Sequence, residues 1–430
     1  MTERPPDSAR TGMKDLWDSL RRVALATVFV LIVFLAWAKA PWLIPYVGAG
    51  VASAFVFQVA VRPRLWEIVG VLAGGAGLVL LDQFLIHPTG KLDIHIGPCM
   101  GFLGLVSFLL LGLRATWAER EEKRRIITYI LMPAAGFGLF VIGSQKLLNL
   151  GAMMTPKVMD VYAYAFDASL GFQPSFMVGQ YFRDHQVVGT IIARLYYAIP
   201  IALAIAYSAH LRQKSSPPLF VLKLFVVSGV LGYFLYVAFP AAGPAYLAGW
   251  EFPSHPVPFA QMRDLVLRGL EPRMVAMAPS IVRNAMPSLH MTWALLIAFN
   301  CRQFRHLRWL AYAYAVATVF GTLGTGEHYF VDLVVAFPFT VAMQALCTQS
   351  TPLKSPERLI PLAGGLLLTG SWLILLRFSI PFFFRWTPLV PWVCVMATIG
   401  GSVLWMKQIL SVEQRQPQSR TLVARMAAGV

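Results

Sequence analysis

Charged residues are scarce in this chain, and acidic residues are the scarcest of them. Of its 430 residues 13% are charged, and 36 Lys and Arg outnumber 20 Asp and Glu. Soluble domains carry roughly 25% charged residues. Hydrophobic residues reach 57%, which does not match the composition of an ordinary soluble domain. The composition therefore predicts a polytopic membrane protein.

Cysteine is also rare, and its spacing excludes one kind of site. The four cysteines lie in or beside apolar runs and include no Cys-x-x-Cys pair: Cys99, Cys301, Cys347 and Cys394. A cysteine-ligated metal site does not fit that spacing. We expect these side chains to be small buried hydrophobic groups, and the sequence predicts neither a metal site nor a cofactor.

A formal net charge of +16 raises the question of a nucleic-acid partner. Lys and Arg gather in short loops between apolar runs, whereas an RNA or DNA binder needs a basic face with aromatic side chains. We therefore expect no nucleic-acid partner. Basic loops that fall on alternate crossings report orientation, and they place both termini in the cytoplasm.

Long apolar runs define the architecture. The runs from Arg22 to Ala40, Glu67 to Ile86 and Leu219 to Phe239 are each near the roughly 20 residues of a membrane-spanning helix, and about nine others qualify. The sequence thus predicts an all-α polytopic membrane bundle of about 12 transmembrane helices. Between Lys146 and His185 the chain is too polar to cross, so this stretch is either an interfacial helix or a re-entrant cap.

Charged loops divide the chain into five predicted parts. A cytoplasmic tail (1–21) precedes the N-terminal transmembrane helices (22–125). A core of six transmembrane helices (126–349) holds every motif described below. The C-terminal transmembrane helices (350–407) and a second cytoplasmic tail (408–430) complete the division.

Two histidine-containing segments carry the chemistry. In Glu327-His328-Tyr-Phe-Val-Asp332, the His and the Asp are four residues apart and share one helix face. The carboxylate can therefore accept a hydrogen bond from one imidazole nitrogen and leave the other free, which is how a nucleophilic or basic histidine is oriented. An ionisable group in the apolar zone is a candidate for a functional site, although the same pair also occurs as a purely structural contact.

The second segment, Arg283-Asn-Ala-Met-Pro-Ser-Leu-His290, places another histidine at the start of a helix. Pro287 would begin the helix and Ser288 would offer a hydroxyl, beside backbone N–H groups and a positive dipole end that favour a phosphate. His290 could protonate a leaving alkoxide there, the general-acid role that a nucleophilic His328 requires. Alone, it could also be a helix residue that faces lipid headgroups.

Topology brings these segments to one side of the membrane. Phe239-Pro-Ala-Ala-Gly-Pro-Ala245 ends one predicted span, and the two histidines each begin another, all at the extracytoplasmic surface. We expect the three segments to meet there. The active site would then be periplasmic, on the inner (plasma) membrane, if the cell is bacterial.

Met286-Pro-Ser-Leu-His290 and His328-Tyr-Phe-Val-Asp332 resemble the second and third signature motifs of the type 2 phosphatidic acid phosphatase superfamily. They are closer to the branch that includes inositol phosphorylceramide synthases, and Phe239-Pro-Ala-Ala-Gly-Pro is similar to a Phe-Pro-rich element of that branch. The resemblance implies a six-helix phosphatase-like core and a metal-free mechanism. His328 would attack phosphorus, Asp332 would orient it, and His290 would protonate the departing oxygen, through a phosphohistidine intermediate.

Phosphate-binding cations of the superfamily pattern are missing. The third motif commonly carries an Arg six residues before its His, where this chain has Thr322, and the first motif, a Lys followed at a distance by Arg-Pro, has no clear match. Beside Ser288, the candidates to bind the phosphate are Arg283, Arg194 and Lys146. Their alternatives are a solvated loop charge for Arg283, a partner of another buried group for Arg194, and a snorkelling side chain for Lys146.

Three functions are compatible with these features. The first is a lipid phosphotransferase of phospholipid or sphingolipid metabolism, with membrane lipids as partners, a lipid-linked phosphate as substrate and a possible alcohol acceptor. The second is a lipid phosphate phosphatase, in which water is the acceptor. The third is a non-enzymatic transporter or scaffold, suggested by Asp82, Arg194 and the spans outside the core, although no matched pair of broken helices supports it.

Overall fold

In the computed structural model, the described residues are 52–59, 63–86, 96–212, 219–269, 272–386 and 388–427. The structure is 80% helical, so the expected all-α class is confirmed. Within these ranges, the strands are two pairs of residues, β1 (Lys157–Val158) and β2 (Val275–Ala276), which pair antiparallel. They tie together two loops rather than forming a sheet of their own.

The chain divides into two compact units: residues 1–143 with 207–212, and residues 144–206 with 213–430. In the first unit residues 52–59 are helical, and the described elements that follow are α1 (Leu65–Leu81), a π-helical turn (Asp82–Ile86), α2 (Ile96–Trp117), α3 (Arg120–Ile126), a second π-helical turn (Ile127–Leu131) and the start of α4 (Met132–Met154). The five-part division expected from the charged loops stays a prediction.

Two contacts hold the described helices of the first unit together. A Cβ on Gly75 of α1 would lie 2.6 Å from Cδ2 of Leu103 in α2, so the glycine permits a close helix approach. Arg114 at the end of α2 pairs with buried Glu67 at 3.3 Å and with Glu122 of α3 at 2.8 Å. A buried carboxylate is stable here because a cation lies beside it.

The second unit contains the remaining described elements. In chain order its helices are α5 (Asp160–Ser169), α6 (Pro174–Asp184), α7 (Gln186–Tyr197), α8 (Ile199–Arg212), α9 (Phe220–Ala238), α10 (Pro244–Ala248), α11 (Phe259–Leu267), α12 (Leu289–Cys301), α13 (Leu307–Gly324), α14 (Phe330–Cys347), α15 (Pro356–Phe378), α16 (Ile380–Arg385) and α17 (Leu389–Ala427). The last residues of α8, Tyr207–Arg212, belong to the first unit.

Among the described residues, six helices are long and apolar enough to cross a membrane, or seven if the bent pair α7 and α8 is one span. Two of them, Leu65–Phe84 and Phe220–Ala238, match apolar runs predicted from the sequence. The predicted run from Arg22 to Ala40 lies outside the described residues. The helix α12 is apolar but has 13 residues, fewer than the roughly 20 of a full span.

Two short helices, α5 and α6, occupy the polar stretch between Lys146 and His185, and neither is a candidate span. Aromatic packing fixes α5. The ring of Phe166 meets those of Trp372 and Phe383 edge to face, with centroids 5.1 and 4.9 Å apart. Such pairs contribute about 0.5–1.5 kcal/mol each beyond the area they bury, so α5 is held firmly against α15 and α16.

The helix α14 is the centre of the second unit. Of its 18-residue apolar window 83% is buried, and it packs against α9, α12, α15 and α17. A helix that is apolar on all sides belongs in the middle of a bundle, and the sequence of α14 is of that kind. Its N-terminal end is therefore fixed by packing, and His328 lies two residues before it.

Candidate active site

The three segments singled out in the sequence meet at the N-terminal end of α14. Ala285 donates its backbone N–H to the carbonyl oxygen of Ala241 (2.9 Å), and Ser288 donates to that of Asp332 (3.2 Å). Ala245 donates to the carbonyl oxygen of Gly326 (3.0 Å). Backbone hydrogen bonds thus join the loop after α9, the start of α12 and the start of α14.

Gly243 makes this convergence possible. Its φ is +117° and its ψ is 159°, a region that is essentially restricted to glycine. A Cβ at this position would collide with the carbonyl oxygen of Glu327 and would lie 2.7 Å from that of Gly326. The loop after α9 can therefore approach the residue before His328 only with glycine at position 243.

Asp160 binds the backbone of the same loop. Its Oδ1 accepts hydrogen bonds from the backbone N–H groups of Ala242 (3.1 Å) and Gly243 (2.8 Å) and from the hydroxyl of Tyr329 (3.1 Å). The side chain is fully buried, and burial raises the pKa of Asp160 to about 6, while these hydrogen bonds oppose the rise. One carboxylate thus links two of the three segments.

A second buried carboxylate caps α14. Asp167 accepts from the backbone N–H groups of Phe330 (2.7 Å) and Val331 (3.1 Å), and Asp332 accepts from that of Tyr329 (2.8 Å). The first N–H groups of a helix have no partner within the helix, so acceptors there fix its start. Burial raises the pKa of Asp167 well above its ordinary value, and the N–H donors oppose this effect.

His328 is held through one ring nitrogen. Its Nδ1 lies 2.9 Å from the carbonyl oxygen of Ala285 and 3.4 Å from Oδ2 of Asp332. Both partners are acceptors, so Nδ1 must carry the proton. The neutral ring then has its lone pair on Nε2, the nitrogen that these contacts leave for chemistry. The expected pairing of His328 with Asp332 is present, with a carbonyl as the nearer partner.

The two carboxylate oxygens of Asp332 have different surroundings. Its Oδ2 accepts from the backbone of Tyr329 and faces His328, whereas its Oδ1 is buried and has no hydrogen-bond partner among the described residues. An unpaired buried carboxylate oxygen is costly. That cost falls when a positive charge develops on the neighbouring ring, which happens when an imidazole is alkylated or phosphorylated at Nε2.

His290 lies beside His328, and a phenol holds it. The two imidazole centroids are 6.3 Å apart. The hydroxyl of Tyr196 is 3.1 Å from Nδ1 of His290, and the ring centroids of these two residues are 4.3 Å apart. Because His290 is half-buried and Tyr196 is buried, the phenol anchors the imidazole while one side of the ring remains accessible.

Ser288 begins α12 as its N-cap. Its Oγ accepts a hydrogen bond from the backbone N–H of Met291 (3.3 Å), so the hydroxyl proton remains for another acceptor. Arg283 is buried, and its guanidinium donates to the carbonyl oxygens of four residues of neighbouring loops: Thr155, Met277, Ala278 and Ile281. This guanidinium stabilises the loop before α12.

The other two predicted cations are exposed. Arg194 is on the exposed face of α7, and Lys146 is on the exposed face of α4. Thr322, at the position where the superfamily commonly has Arg, is fully buried and donates its hydroxyl to the carbonyl oxygen of Val319 (2.9 Å). The structure brings together His328, Asp332, His290 and Ser288.

Sequence analysis did not identify several residues that build this site. Asp160, Asp167 and Tyr196 hold its backbone and one of its histidines, and Ser175 donates its hydroxyl to the carbonyl oxygen of His328 (2.9 Å). The sequence did carry a signal for the acids, because Asp160 and Asp167 are two of the three acidic residues in the polar stretch that does not cross. Within the described ranges, no group of three or more His, Cys, Asp or Glu side chains is arranged to hold a metal ion.

Comparison with known proteins gives one match. No curated protein and no solved structure matches the chain, but residues 162–346 match the model of the PAP2 superfamily. The matched range contains both histidines and Asp332. The match supports the PAP2 superfamily for this segment, as the sequence motifs suggested, and with it an enzyme that has phosphatase-type activity on a phosphate substrate.

Proposed function

We propose that the protein is an integral membrane phosphotransferase that takes a phosphoryl group from a lipid-linked phosphate through a phosphohistidine intermediate. One observation carries the proposal. The contacts of Nδ1 of His328 fix its proton and leave Nε2 as a nucleophile, with His290 close enough for both rings to contact one phosphoryl group. Nucleophile, orienting carboxylate and proton donor are the parts that covalent phosphoryl transfer needs.

In the first step, Nε2 of His328 attacks phosphorus as the bond from phosphorus to the lipid oxygen breaks. His290, as the protonated imidazolium, gives a proton to that oxygen and becomes neutral. The phosphorylated ring keeps its proton on Nδ1 and therefore carries a positive charge, which Asp332 stabilises from 3.4 Å. Only a charge that develops during the reaction gains from this carboxylate, so the contact favours the intermediate over the resting enzyme.

In the second step, the phosphoryl group passes to an acceptor. His290, now neutral, takes a proton from the acceptor hydroxyl while the bond from nitrogen to phosphorus breaks. An alcohol acceptor makes the enzyme a phosphotransferase, and water makes it a lipid phosphate phosphatase. The phosphatase is the second candidate, because the superfamily match supports phosphatase-type chemistry.

Finer features of the proposal rest on the motifs. The Pro-Ser-Leu-His and His-Tyr-x-x-Asp forms support the branch that includes inositol phosphorylceramide synthases. The basic loops support about 12 spans, cytoplasmic termini and an extracytoplasmic site. Ser288 is the best supported phosphate-binding residue, since its hydroxyl lies at the start of α12 beside His290. Arg283, Arg194 and Lys146 are proposed as further phosphate-binding residues, on their charge.

The test uses purified protein in nanodiscs with two ³²P-labelled donors, phosphatidic acid and an isoprenyl monophosphate, in EDTA, with and without glycerol. We expect acid-labile ³²P on the protein and a phosphorylated glycerol product. His328→Ala should lose both, while His306→Ala, an exposed histidine away from the site, should retain them. Release of inorganic phosphate alone would favour the phosphatase. If the protein shows neither the ³²P label nor any turnover, the result would favour the transporter or scaffold.

A further inference from the structure

A carboxylate with two phenols lies beside the two histidines. Glu327 directly precedes His328, and its Oε1 is 3.3 Å from the hydroxyl of Tyr197 and 3.4 Å from that of Tyr246. Glu327 is half-buried and both tyrosines are exposed. We refer to these three residues as the Glu327 cluster. A ligand can reach it from solvent or from the membrane surface.

The cluster is connected to His290 as well as to His328. The rings of Tyr197 and Tyr196 have centroids 4.8 Å apart, and the hydroxyl of Tyr196 is the group that contacts His290. Tyr246 follows Ala245, whose backbone N–H donates a hydrogen bond to the carbonyl oxygen of Gly326, the residue before Glu327. The Glu327 cluster therefore adjoins the residues that hold both imidazoles.

The chemistry of the cluster selects a hydrogen-bond donor. The two phenol protons are directed to Oε1 of Glu327, so the other carboxylate oxygen remains as an acceptor for a ligand. This surface does not favour phosphate binding, because the carboxylate of Glu327 repels a phosphate. Nor is this an aromatic cage for an organic cation, since the hydroxyl ends of the tyrosines converge on Glu327.

We infer that the Glu327 cluster binds a second hydroxyl of the acceptor, so that the acceptor is a polyol. This inference rests on the proposed phosphotransfer. One hydroxyl of the polyol attacks phosphorus and gives its proton to His290 as the bond from Nε2 of His328 to phosphorus breaks. A neighbouring hydroxyl donates to Glu327 and orients the molecule. Water has no second group to place there, so the cluster favours transfer over hydrolysis.

The experiment measures how the phosphohistidine partitions. Labelled donor is turned over in nanodiscs with equal concentrations of 1-propanol, 1,2-propanediol or glycerol, and the ratio of phosphorylated alcohol to inorganic phosphate is determined for each. Because both products arise from the same intermediate, the ratio does not depend on how fast the intermediate forms. We expect the ratio to be about 10-fold higher for glycerol and 1,2-propanediol than for 1-propanol, as a hydrogen bond to a charged group predicts.

Glu327→Gln should remove this preference, because the amide presents a donor where the ligand needs an acceptor. Tyr246→Phe, which leaves the carboxylate in place, should reduce the preference for polyol acceptors several-fold. This variant provides the test if Glu327→Gln does not fold. Glu251→Gln, an exposed acid of the loop after α10, is the matched control and should keep the wild-type ratio.

The outcomes separate this inference from the proposed function. If wild type transfers phosphate equally well to 1-propanol and glycerol, or if Glu327→Gln and Tyr246→Phe both keep the preference, the inference is wrong while the phosphotransferase stands. If wild type forms no phosphohistidine from any donor, both are wrong.

Discussion

The hydroxyl of Tyr196 lies 3.1 Å from Nδ1 of His290, whereas Nδ1 of His328 faces a carbonyl and a carboxylate. The two imidazoles are thus anchored at the same nitrogen by different chemistry. Acceptors alone surround Nδ1 of His328, so its Nε2 is unprotonated in the neutral ring. A phenol oxygen can accept as well as donate, so Nδ1 of His290 keeps this partner both in the protonated ring and in the neutral one, and Nε2 can supply a proton to a leaving group.

Tyr196→Phe should lower kcat about 10-fold and leave KM within about 2-fold, because it removes the hydrogen bond that orients His290 and retains the ring contact. The measurement is donor turnover in nanodiscs over a range of donor concentrations. Tyr312→Phe, an exposed tyrosine of α13, is the control. An equal fall in kcat and in thermal stability would indicate a structural role for the hydroxyl instead.

Asp332→Asn should reduce phosphohistidine formation by about 10²–10⁴-fold, by analogy with the loss of an orienting carboxylate in other His-based sites. The amide keeps an oxygen for the backbone of Tyr329 but does not stabilise the positive phosphorylated ring. Acid-labile ³²P on the protein after single turnover measures the effect. Asp264→Asn, an exposed acid paired with Arg268, should label like wild type. Full labelling of Asp332→Asn would remove this carboxylate from the mechanism.

Local patterns made part of this molecule predictable. Apolar runs of span length predict helices such as Phe220–Ala238, because a lipid environment permits little else for such a sequence. The meeting of the three segments followed from the order of the spans alone, since alternate ends of successive spans share a side. Short motifs with fixed spacing also predicted that His328 and Asp332 lie close together, and in the structure Nδ1 of His328 is 3.4 Å from Oδ2 of Asp332, although His328 precedes the helix rather than sharing its face.

Long-range contacts were beyond such patterns. Asp160 contacts Ala242 across 82 residues, Asp167 contacts Phe330 across 163, and Tyr196 contacts His290 across 94. Each depends on where a short helix packs, which periodicity does not encode. The same holds for the contacts of Arg283, whose buried guanidinium donates to loop carbonyls. The role of a buried polar residue is decided by its partners.

Asp160→Asn should change how stability depends on pH. The pKa of about 6 in the folded protein exceeds the ordinary value of 3.8, so the folded state binds a proton more tightly than the unfolded state. Below pH 3.8 this residue is protonated in both states. As the pH rises toward 6, the folded state loses stability relative to the unfolded state, by up to about 3 kcal/mol for a difference of about two pH units.

The asparagine variant does not titrate, and its amide oxygen can accept the three hydrogen bonds of Oδ1 of Asp160, while the contact of Oδ2 with the N–H of Ala242 is lost at every pH. Thermal stability of the variant should therefore rise relative to wild type between pH 4 and pH 7. Asp184→Asn, an exposed acid, should leave the wild-type profile in place. Parallel curves for wild type and Asp160→Asn across this range would show that Asp160 does not contribute.

Gly243→Ala tests whether the close approach of the loop after α9 is needed for the site. The added Cβ meets backbone atoms of Glu327 and Gly326, which cannot move without shifting His328. We expect the free energy of unfolding to fall by about 3 kcal/mol or more from strain and steric overlap, together with a large fall in phosphohistidine formation.

The control is Gly249→Ala. Gly249 also has a positive φ, of +58°, but no atom lies within 4 Å of the added Cβ. Because both variants carry conformational strain, the difference between their melting temperatures isolates the collision, and it should be at least about 5 °C. Equal melting temperatures and equal labelling would mean that the loop can retreat from Glu327 without disturbing the histidines.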